Sequence, residues 1–154
     1  MSRAERAKEY FLQGYACSQA VALAFADVMG LETEVVSKMM LPFGGGIGRL
    51  RMTCGAVSGM AAVIGMVFAE SENTPENKKN TYAIVQTLCG RFQQETGSLV
   101  CAELLNGMKV PVEVGGIAEA RTQEYYRKRS CGDMVALAAQ ILEDYLIEQG
   151  KIGK

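Results

Sequence analysis

The longest uncharged stretch of the chain, residues 52–69, reads MTCGAVSGMAAVIGMVFA. It is 18 residues long but contains Thr53, Ser58 and three glycines, which makes it marginal for crossing a bilayer about 30 Å thick. Thr53 is a typical helix N-cap, and this would put Cys54 at the first helical position. Small side chains permit close approach to a neighbouring backbone. We therefore predict a buried helix at the centre of a bundle and no membrane span.

The rest of the chain predicts further helices joined by short loops. Ser2-Arg3-Ala4-Glu5 is a capping-box pattern that opens a first helix, which Gly14 can close. The other helical patterns cover residues 17–29, 33–40, 75–97, 98–107 and 130–145. Only Val110 to Val114 alternates as a strand would. We expect an all-α fold, a compact bundle of about six or seven helices, in a single domain over residues 1–154.

Composition and charge exclude several classes of function. Of the 154 residues 49% are hydrophobic, and 16 Lys+Arg against 17 Asp+Glu leave a net charge of −1, so no nucleic-acid partner is expected. There is no histidine, which excludes Ser-His-Asp and Cys-His catalysis, histidine-ligated zinc and CxxCH haem attachment. The N-terminus is charged where a signal peptide needs an apolar run, so we predict a cytoplasmic location. Structural disulfides are rare there.

The positions of the five cysteines carry the functional signal. Four of them fall in the first turn of a predicted helix: Cys17, Cys54, Cys101 and Cys131. A helix N-terminus has a partial positive charge that favours the thiolate and lowers a cysteine pKa. Cys89 lies in the middle of a helix on its apolar face, where it predicts packing. The four others are therefore the candidate catalytic or metal-ligating residues.

A glycine-rich loop, Gly44-Gly45-Gly46-Ile47-Gly48-Arg49, precedes the central helix. It is not a Walker A sequence, and no predicted strand comes before it. One interpretation is a tight crossing that lets the helix at Cys54 enter the core. The other is a binding loop, whose N–H groups together with Arg49 and Arg51 stabilise an anionic sulfur on Cys54. The candidate cofactor-binding residues are Gly44, Gly45, Gly46, Arg49, Gly55 and Gly59.

Residues 43–49, followed by Cys54-Gly55-Ala56-Val57-Ser58-Gly59, resemble the signature of the C-GCAxxG-C-C family of redox-active proteins. The family name writes Gly-Cys-Ala where this chain reads Cys-Gly-Ala. The other family cysteines correspond to Cys17, Cys101 and Cys131, and Cys89 is outside the pattern. The resemblance extends from about residue 7 to residue 145. It implies redox-active cysteines.

The family is related to the cysteine domain of split-Soret cytochromes, in which an iron–sulfur centre accompanies the haems. This chain has no CxxCH motif, so the resemblance implies the cysteine part alone and no haem.

Three functions stay open at this point. The first is a dithiol–disulfide redox protein, of the kind that includes thiol-based oxidoreductases, with Cys54 attacking and one of the other three helix-start cysteines resolving. The second is an iron–sulfur or other metal protein with Cys17, Cys54, Cys101 and Cys131 as ligands. The third is a helical structural or partner-binding module with inert cysteines. The glycine-rich, apolar helices also suggest a homodimer, and the redox partner is unknown.

Overall fold

The computed structural model describes residues 1–154 and confirms the all-α class. Its nine α-helices are α1 (Arg3–Leu12), α2 (Cys17–Leu23), α3 (Ala26–Met29), α4 (Thr33–Met40), α5 (Gly55–Phe68), α6 (Pro75–Thr96), α7 (Cys101–Gly107), α8 (Gln123–Lys128) and α9 (Cys131–Glu148). A 3₁₀ turn, Leu41–Phe43, follows α4. There is no β-sheet, and the one isolated bridge joins Thr53 to Val100.

Helix starts follow the local sequence. The Ser2 hydroxyl accepts from the Glu5 N–H at 3.1 Å, and the Glu5 carboxylate accepts from the Ser2 N–H at 2.8 Å, so the predicted capping box is present. Thr74 caps α6 with Pro75 at the first helical position, as predicted. These caps satisfy N–H groups that have no partner within the helix.

The helix count exceeds the predicted six or seven for two reasons. The predicted helix over residues 17–29 is interrupted at Phe25, whose φ of −123° and ψ of 14° are not helical, and so becomes α2 and α3. The short helix α8 was not predicted at all.

The segment from Val110 to Val114 forms no strand. Its backbone accepts hydrogen bonds from arginine side chains instead of pairing in a sheet: the Glu113 carbonyl accepts from Arg51 Nε at 2.8 Å, and just beyond the segment the Gly115 carbonyl accepts from Arg49 Nη1. The possible strand is therefore wrong, because this segment satisfies its polar groups by covering the end of the bundle where Arg49 and Arg51 lie.

Helix α5 is the centre of the bundle, as its sequence predicts. It packs against α2, α6 and α9, and its Met60, Val63 and Ile64 are fully buried. They belong to one hydrophobic core of 27 buried residues. None of the helices has both the length and the apolar character that a membrane crossing requires.

Two glycines allow α5 to cross α2 at very short range. A Cβ at Gly59 would lie 2.7 Å from the Ser18 carbonyl oxygen, and one at Gly55 would lie 3.1 Å from Cys17 Cβ. Real Cβ atoms do not approach backbone as closely as the first distance. The crossing therefore depends on Gly55-x-x-x-Gly59, and it brings the N-terminal ends of α2 and α5 together.

Candidate functional site

The four helix-start cysteines line a single cavity of about 300 Å³. Three of them are the first residues of their helices: Cys17 of α2, Cys101 of α7 and Cys131 of α9. Cys54 is the N-cap of α5, one position earlier than predicted. Cys89 is not in the cavity lining; it is half-buried on α6 and packs against the hydrophobic core. The structure thus brings together the four predicted residues, whose chemical role stays a prediction.

A short antiparallel pairing places Cys54 beside Cys101. The Cys54 N–H donates to the Leu99 carbonyl at 2.8 Å, and the Cys101 N–H donates to the Met52 carbonyl at 2.6 Å. These two hydrogen bonds flank the bridge between Thr53 and Val100. The starts of α5 and α7 are therefore held side by side by backbone contacts between segments almost 50 residues apart.

The glycine loop is a left-handed turn. All residues from Gly45 to Arg49 have positive φ, between 55° and 72°, and Arg51 has φ 62°. The turn is closed by hydrogen bonds from the Arg51 N–H to the Gly45 carbonyl and from the Met52 N–H to the Gly46 carbonyl, 3.1 and 2.8 Å. Each non-glycine residue in this region costs about 1–2 kcal/mol. The strained backbone conformation places two arginines, Arg49 and Arg51, at the cavity wall.

The geometry supports the tight-crossing interpretation of the glycine loop. The N–H groups of Ile47, Gly48 and Arg49 donate to backbone carbonyls of residues 42–44, so they do not stabilise an anionic sulfur on Cys54 as the other interpretation expects. A Cβ at Gly46 would lie 2.6 Å from Met52 N and 2.7 Å from Cys101 Cβ, so the turn needs glycine for packing. The loop also borders the cavity. Of the candidate cofactor-binding residues, Gly44, Gly45, Gly46, Arg49 and Gly55 line it. Gly59 does not, because it faces the backbone of α2 in the core.

Four arginines and one carboxylate complete the polar part of the lining: Arg49, Arg51, Arg121, Arg129 and Glu119. Glu119 accepts hydrogen bonds from Arg49 and, at 3.1 Å, from Arg129. Arg121 is anchored differently, by donating to the carbonyls of Phe11 and Tyr15 at 2.9 and 3.0 Å. The four guanidinium groups thus outnumber the carboxylate in the lining.

Sequence reasoning missed Arg121, Arg129 and Glu119. All three lie in residues 119–129, a stretch of mixed charge that is typical of a solvated helix face. The available signal was that Arg129 stands two residues before Cys131.

The expected effect of the helix N-termini on the pKa is overridden in three of the four thiols, by burial in Cys54 and Cys101 and by the hydrogen bond with Cys131 and then burial in Cys17. Burial raises the pKa of Cys54 to about 12 and is the largest cause of the raised pKa of Cys101, which Arg51 partly offsets. The pKa of Cys17 is raised well above its ordinary value, first by the hydrogen bond its thiol makes with Cys131 and then by burial. The prediction of lowered pKa values is therefore wrong for these three, because desolvation disfavours the charged sulfur.

Cys131 is the exception. The hydrogen bond from the Cys17 thiol lowers the pKa of Cys131, and the nearby positive charges of Arg129, Arg121 and Arg51 lower it further, against the effect of burial. The Cys131 sulfur is therefore the one best stabilised as a thiolate. The prediction that Cys54 is the attacking thiol is not supported, since its pKa favours the protonated form.

The cavity does not have the arrangement of a metal-ligand cage. No group of three or more histidine, cysteine, aspartate or glutamate side chains is placed so that it could hold one metal ion. The four sulfurs share a cavity without converging on a point. The residues in this arrangement therefore do not fit a single metal ion with three or more cysteine ligands.

A known protein family matches the part of the chain that contains these residues. Residues 15–145 match the model of the family described as "Putative redox-active protein (C_GCAxxG_C_C)". Comparisons with curated proteins and with solved structures found no match. The matched range includes all four cysteines of the cavity, the glycine loop and the four arginines. The chain therefore belongs to the C-GCAxxG-C-C family of redox-active proteins.

Proposed function

We propose that the chain is a thiol–disulfide redox protein in which Cys131 is the attacking thiol and Cys17 resolves. The observation that carries this proposal is that Cys17 and Cys131 begin two helices, α2 and α9, that pack against each other, and that both residues line one cavity together with guanidinium groups. A low-pKa thiol next to a second thiol is the usual arrangement of a redox-active cysteine pair.

Charge repulsion limits the cavity to few thiolates. Two like charges 4 Å apart repel by about 4 kcal/mol at an effective dielectric constant near 20. The directions of the pKa shifts agree with one thiolate, on Cys131, and neutral thiols on Cys17, Cys54 and Cys101. Cys54 and Cys101 then act as neutral parts of the wall.

The reaction balances with a disulfide as the oxidant. The Cys131 thiolate attacks one substrate sulfur, so a mixed disulfide forms, the substrate S–S bond breaks, and the other substrate sulfur leaves with the electron pair and takes a proton from water. The Cys17 thiol then loses its proton and attacks the Cys131 sulfur. The mixed disulfide breaks, and the second substrate thiol leaves. Two electrons pass from the protein to the substrate, and a Cys17–Cys131 disulfide remains.

The first step prepares the second. The largest cause of the raised pKa of Cys17 is its hydrogen bond with Cys131, and the charge of Cys131 adds to it. Both causes disappear when the Cys131 sulfur enters a mixed disulfide, because it no longer carries a negative charge. The pKa of Cys17 therefore falls when the resolving thiolate is needed. The cytoplasm, which the sequence predicts as the location, would return the pair to the dithiol form.

The test is to identify the disulfide. The full-length reduced protein is treated with a small disulfide, the remaining thiols are alkylated, and the linked peptides are found by mass spectrometry. We expect a Cys17–Cys131 link in the wild type and in the Cys89→Ser control, no link in Cys131→Ser, and a trapped mixed disulfide on Cys131 in Cys17→Ser. First reaction at Cys54, or equal loss of reaction in Cys89→Ser, would contradict the proposal.

A second candidate is the iron–sulfur or metal protein, which the meeting of four cysteines in one cavity favours. No three cysteine side chains are placed to hold one metal ion, so metal binding would need the sulfurs to move closer to one another. Iron and acid-labile sulfide measured in protein purified without oxygen decide between the two. Near-stoichiometric amounts of both would replace the dithiol proposal, and their loss in Cys131→Ser but not in Cys89→Ser would assign the ligands.

A further inference from the structure

The cavity wall contains positive charge that the protein does not neutralise. Four guanidinium groups face it with Glu119 as the only carboxylate in the lining. Glu113 also approaches Arg49, at 3.6 Å, but its side chain is 72% exposed and does not belong to the lining. Arginine cannot release its proton in a protein, so this charge is permanent. A Cys131 thiolate would neutralise only one of these positive charges.

Arg51 supplies the more specific observation. Its side chain is only 6% exposed, and its Nη2 atom is buried without a hydrogen-bond partner. The other nitrogens are engaged: Nε donates to the Glu113 carbonyl at 2.8 Å, and Nη1 lies 3.8 Å from Cys101 Sγ. The nearest carboxylate oxygen, on Glu119, is 3.6 Å from Nη2, which is too far for a hydrogen bond. A buried charged donor without a partner is costly, and native structures rarely keep one.

A neighbouring arginine repeats this feature. Arg49 Nε is also buried without a partner, and its side chain is 11% exposed. Both residues sit in the strained left-handed region, with φ of 65° and 62°. The fold thus keeps backbone strain and two buried, unsatisfied charged donors in two residues that line the same cavity, an arrangement that an anion bound beside them would complete.

The size and the remaining lining define the ligand further. A volume of about 300 Å³ is at the lower end of small-molecule sites and is larger than a simple inorganic anion needs. Leu104, Leu105, Met108 and Met134 supply apolar wall. An organic molecule with a short aliphatic body and a carboxylate matches both parts, since the planar guanidinium fork pairs well with a carboxylate.

We propose that this cavity selects small organic disulfides that carry a carboxylate, which Arg51 and Arg49 bind while the disulfide lies against Cys131. This substrate class rests on the proposed thiol–disulfide function. The arginines are positioning residues: they hold the anionic end, and the electron transfer takes place between the sulfurs as balanced above. Neutral and cationic disulfides of similar size lack the group that fills the unsatisfied donors.

Three symmetrical disulfides test the charge preference: dithiodipropionate, which is anionic, hydroxyethyl disulfide, which is neutral, and cystamine, which is cationic. The rate at which each oxidises the full-length reduced protein is divided by its rate with a free small thiol. We expect a preference for the anionic over the neutral disulfide of roughly tenfold to a hundredfold, the size of a buried charge-assisted hydrogen bond. Cystamine should be the slowest.

Variants at Arg51 separate binding from folding. The anionic-to-neutral rate ratio should fall close to one in Arg51→Met and be largely kept in Arg51→Lys, which retains the charge. Arg91→Met, on α6 and away from the cavity, is the matched control and should keep the full ratio. A merely structural role of Arg51 would slow all three disulfides together. A ratio near one in the wild type, or an unchanged ratio in Arg51→Met, would overturn the proposal.

Binding in the absence of reaction distinguishes this proposal from the redox function. Calorimetric titration of Cys131→Ser with dithiodipropionate measures the anion site alone. Binding that disappears in the Arg51→Met, Cys131→Ser double variant supports the anion site. If, in addition, no disulfide oxidises the wild type, only the thiol–disulfide function is refuted. No binding to Cys131→Ser would overturn the anion site, whatever the redox result.

Discussion

The crossing of α2 and α5 gives the sharpest prediction, because a matched control lies on the same helix. Gly59→Ala places a Cβ 2.7 Å from the Ser18 carbonyl oxygen, a distance at which backbone must shift. The Cβ of Gly65→Ala, six residues further along α5, meets nothing within 4 Å. The two substitutions make the same chemical change in the same helix, and only their surroundings differ.

The expected magnitudes follow from this difference. Alanine in a helix interior is more favourable than glycine by about 0.5–1 kcal/mol, so Gly65→Ala should stabilise the protein by about that amount. Gly59→Ala gains the same helix term but overpacks the crossing, which costs about 1–3 kcal/mol. The free energy of unfolding of Gly59→Ala should therefore be about 1–3 kcal/mol below that of Gly65→Ala.

Urea unfolding followed by far-UV circular dichroism measures both values. The site gives a second readout: a shift of α2 moves Cys17, so the Cys17–Cys131 disulfide should form more slowly in Gly59→Ala and at the wild-type rate in Gly65→Ala. If Gly59→Ala is as stable as Gly65→Ala, the close crossing is not a constraint and the explanation of Gly55-x-x-x-Gly59 is refuted.

Three further predictions concern the thiols and the assembly. In Arg129→Gln the pKa of Cys131 should rise, because one nearby positive charge is lost, so iodoacetamide should alkylate Cys131 more slowly at neutral pH. The control variant Arg91→Gln should be alkylated at the wild-type rate. Equal rates in the wild type and both variants would contradict the electrostatic cause. Burial raises the pKa of Cys54 from 9.0 to about 12, because the fold disfavours its charged form, so the free energy of unfolding is unaffected by this thiol below pH about 9 and falls by about 4 kcal/mol as pH rises towards 12. The free energy of unfolding should therefore fall less steeply over this range in Cys54→Ala, and parallel slopes would contradict the burial argument. The homodimer expected from the sequence predicts twice the chain mass in light scattering, and a monomeric mass would end that expectation.

The position of a cysteine at a helix start does not by itself decide the pKa of its thiol. A helix N-terminus favours a thiolate, yet burial at the same place favours the thiol, and for Cys54 the second effect is larger. Cys131 differs because it also receives a hydrogen bond from Cys17 and lies near several guanidinium groups. The reactive sulfur is therefore selected by its neighbours in space and not by its place on a helix.

Much of the fold is determined by local sequence. The caps at Ser2 and Thr74 and the apolar run of α5 all depend on residues within a few positions of each other. Such short-range interactions can be read without knowing the tertiary contacts. The separation of Cys89 from the other cysteines was predictable for the same reason, since its helical stripe is local.

The site's electrostatics could be decided only by the tertiary structure. Glu119 meets Arg49 across 70 positions of sequence, and Cys17 meets Cys131 across 114. The left-handed glycine turn, too, acquires its role only when it directs Arg51 into a cavity closed by residues far along the chain. Desolvation and Coulomb energy depend on distance in space and on the exclusion of water. The sequence alone indicated which four cysteines belong to the site. The packing of distant segments determined that they meet in one cavity and which of them is held as a thiolate, because both depend on distances in space.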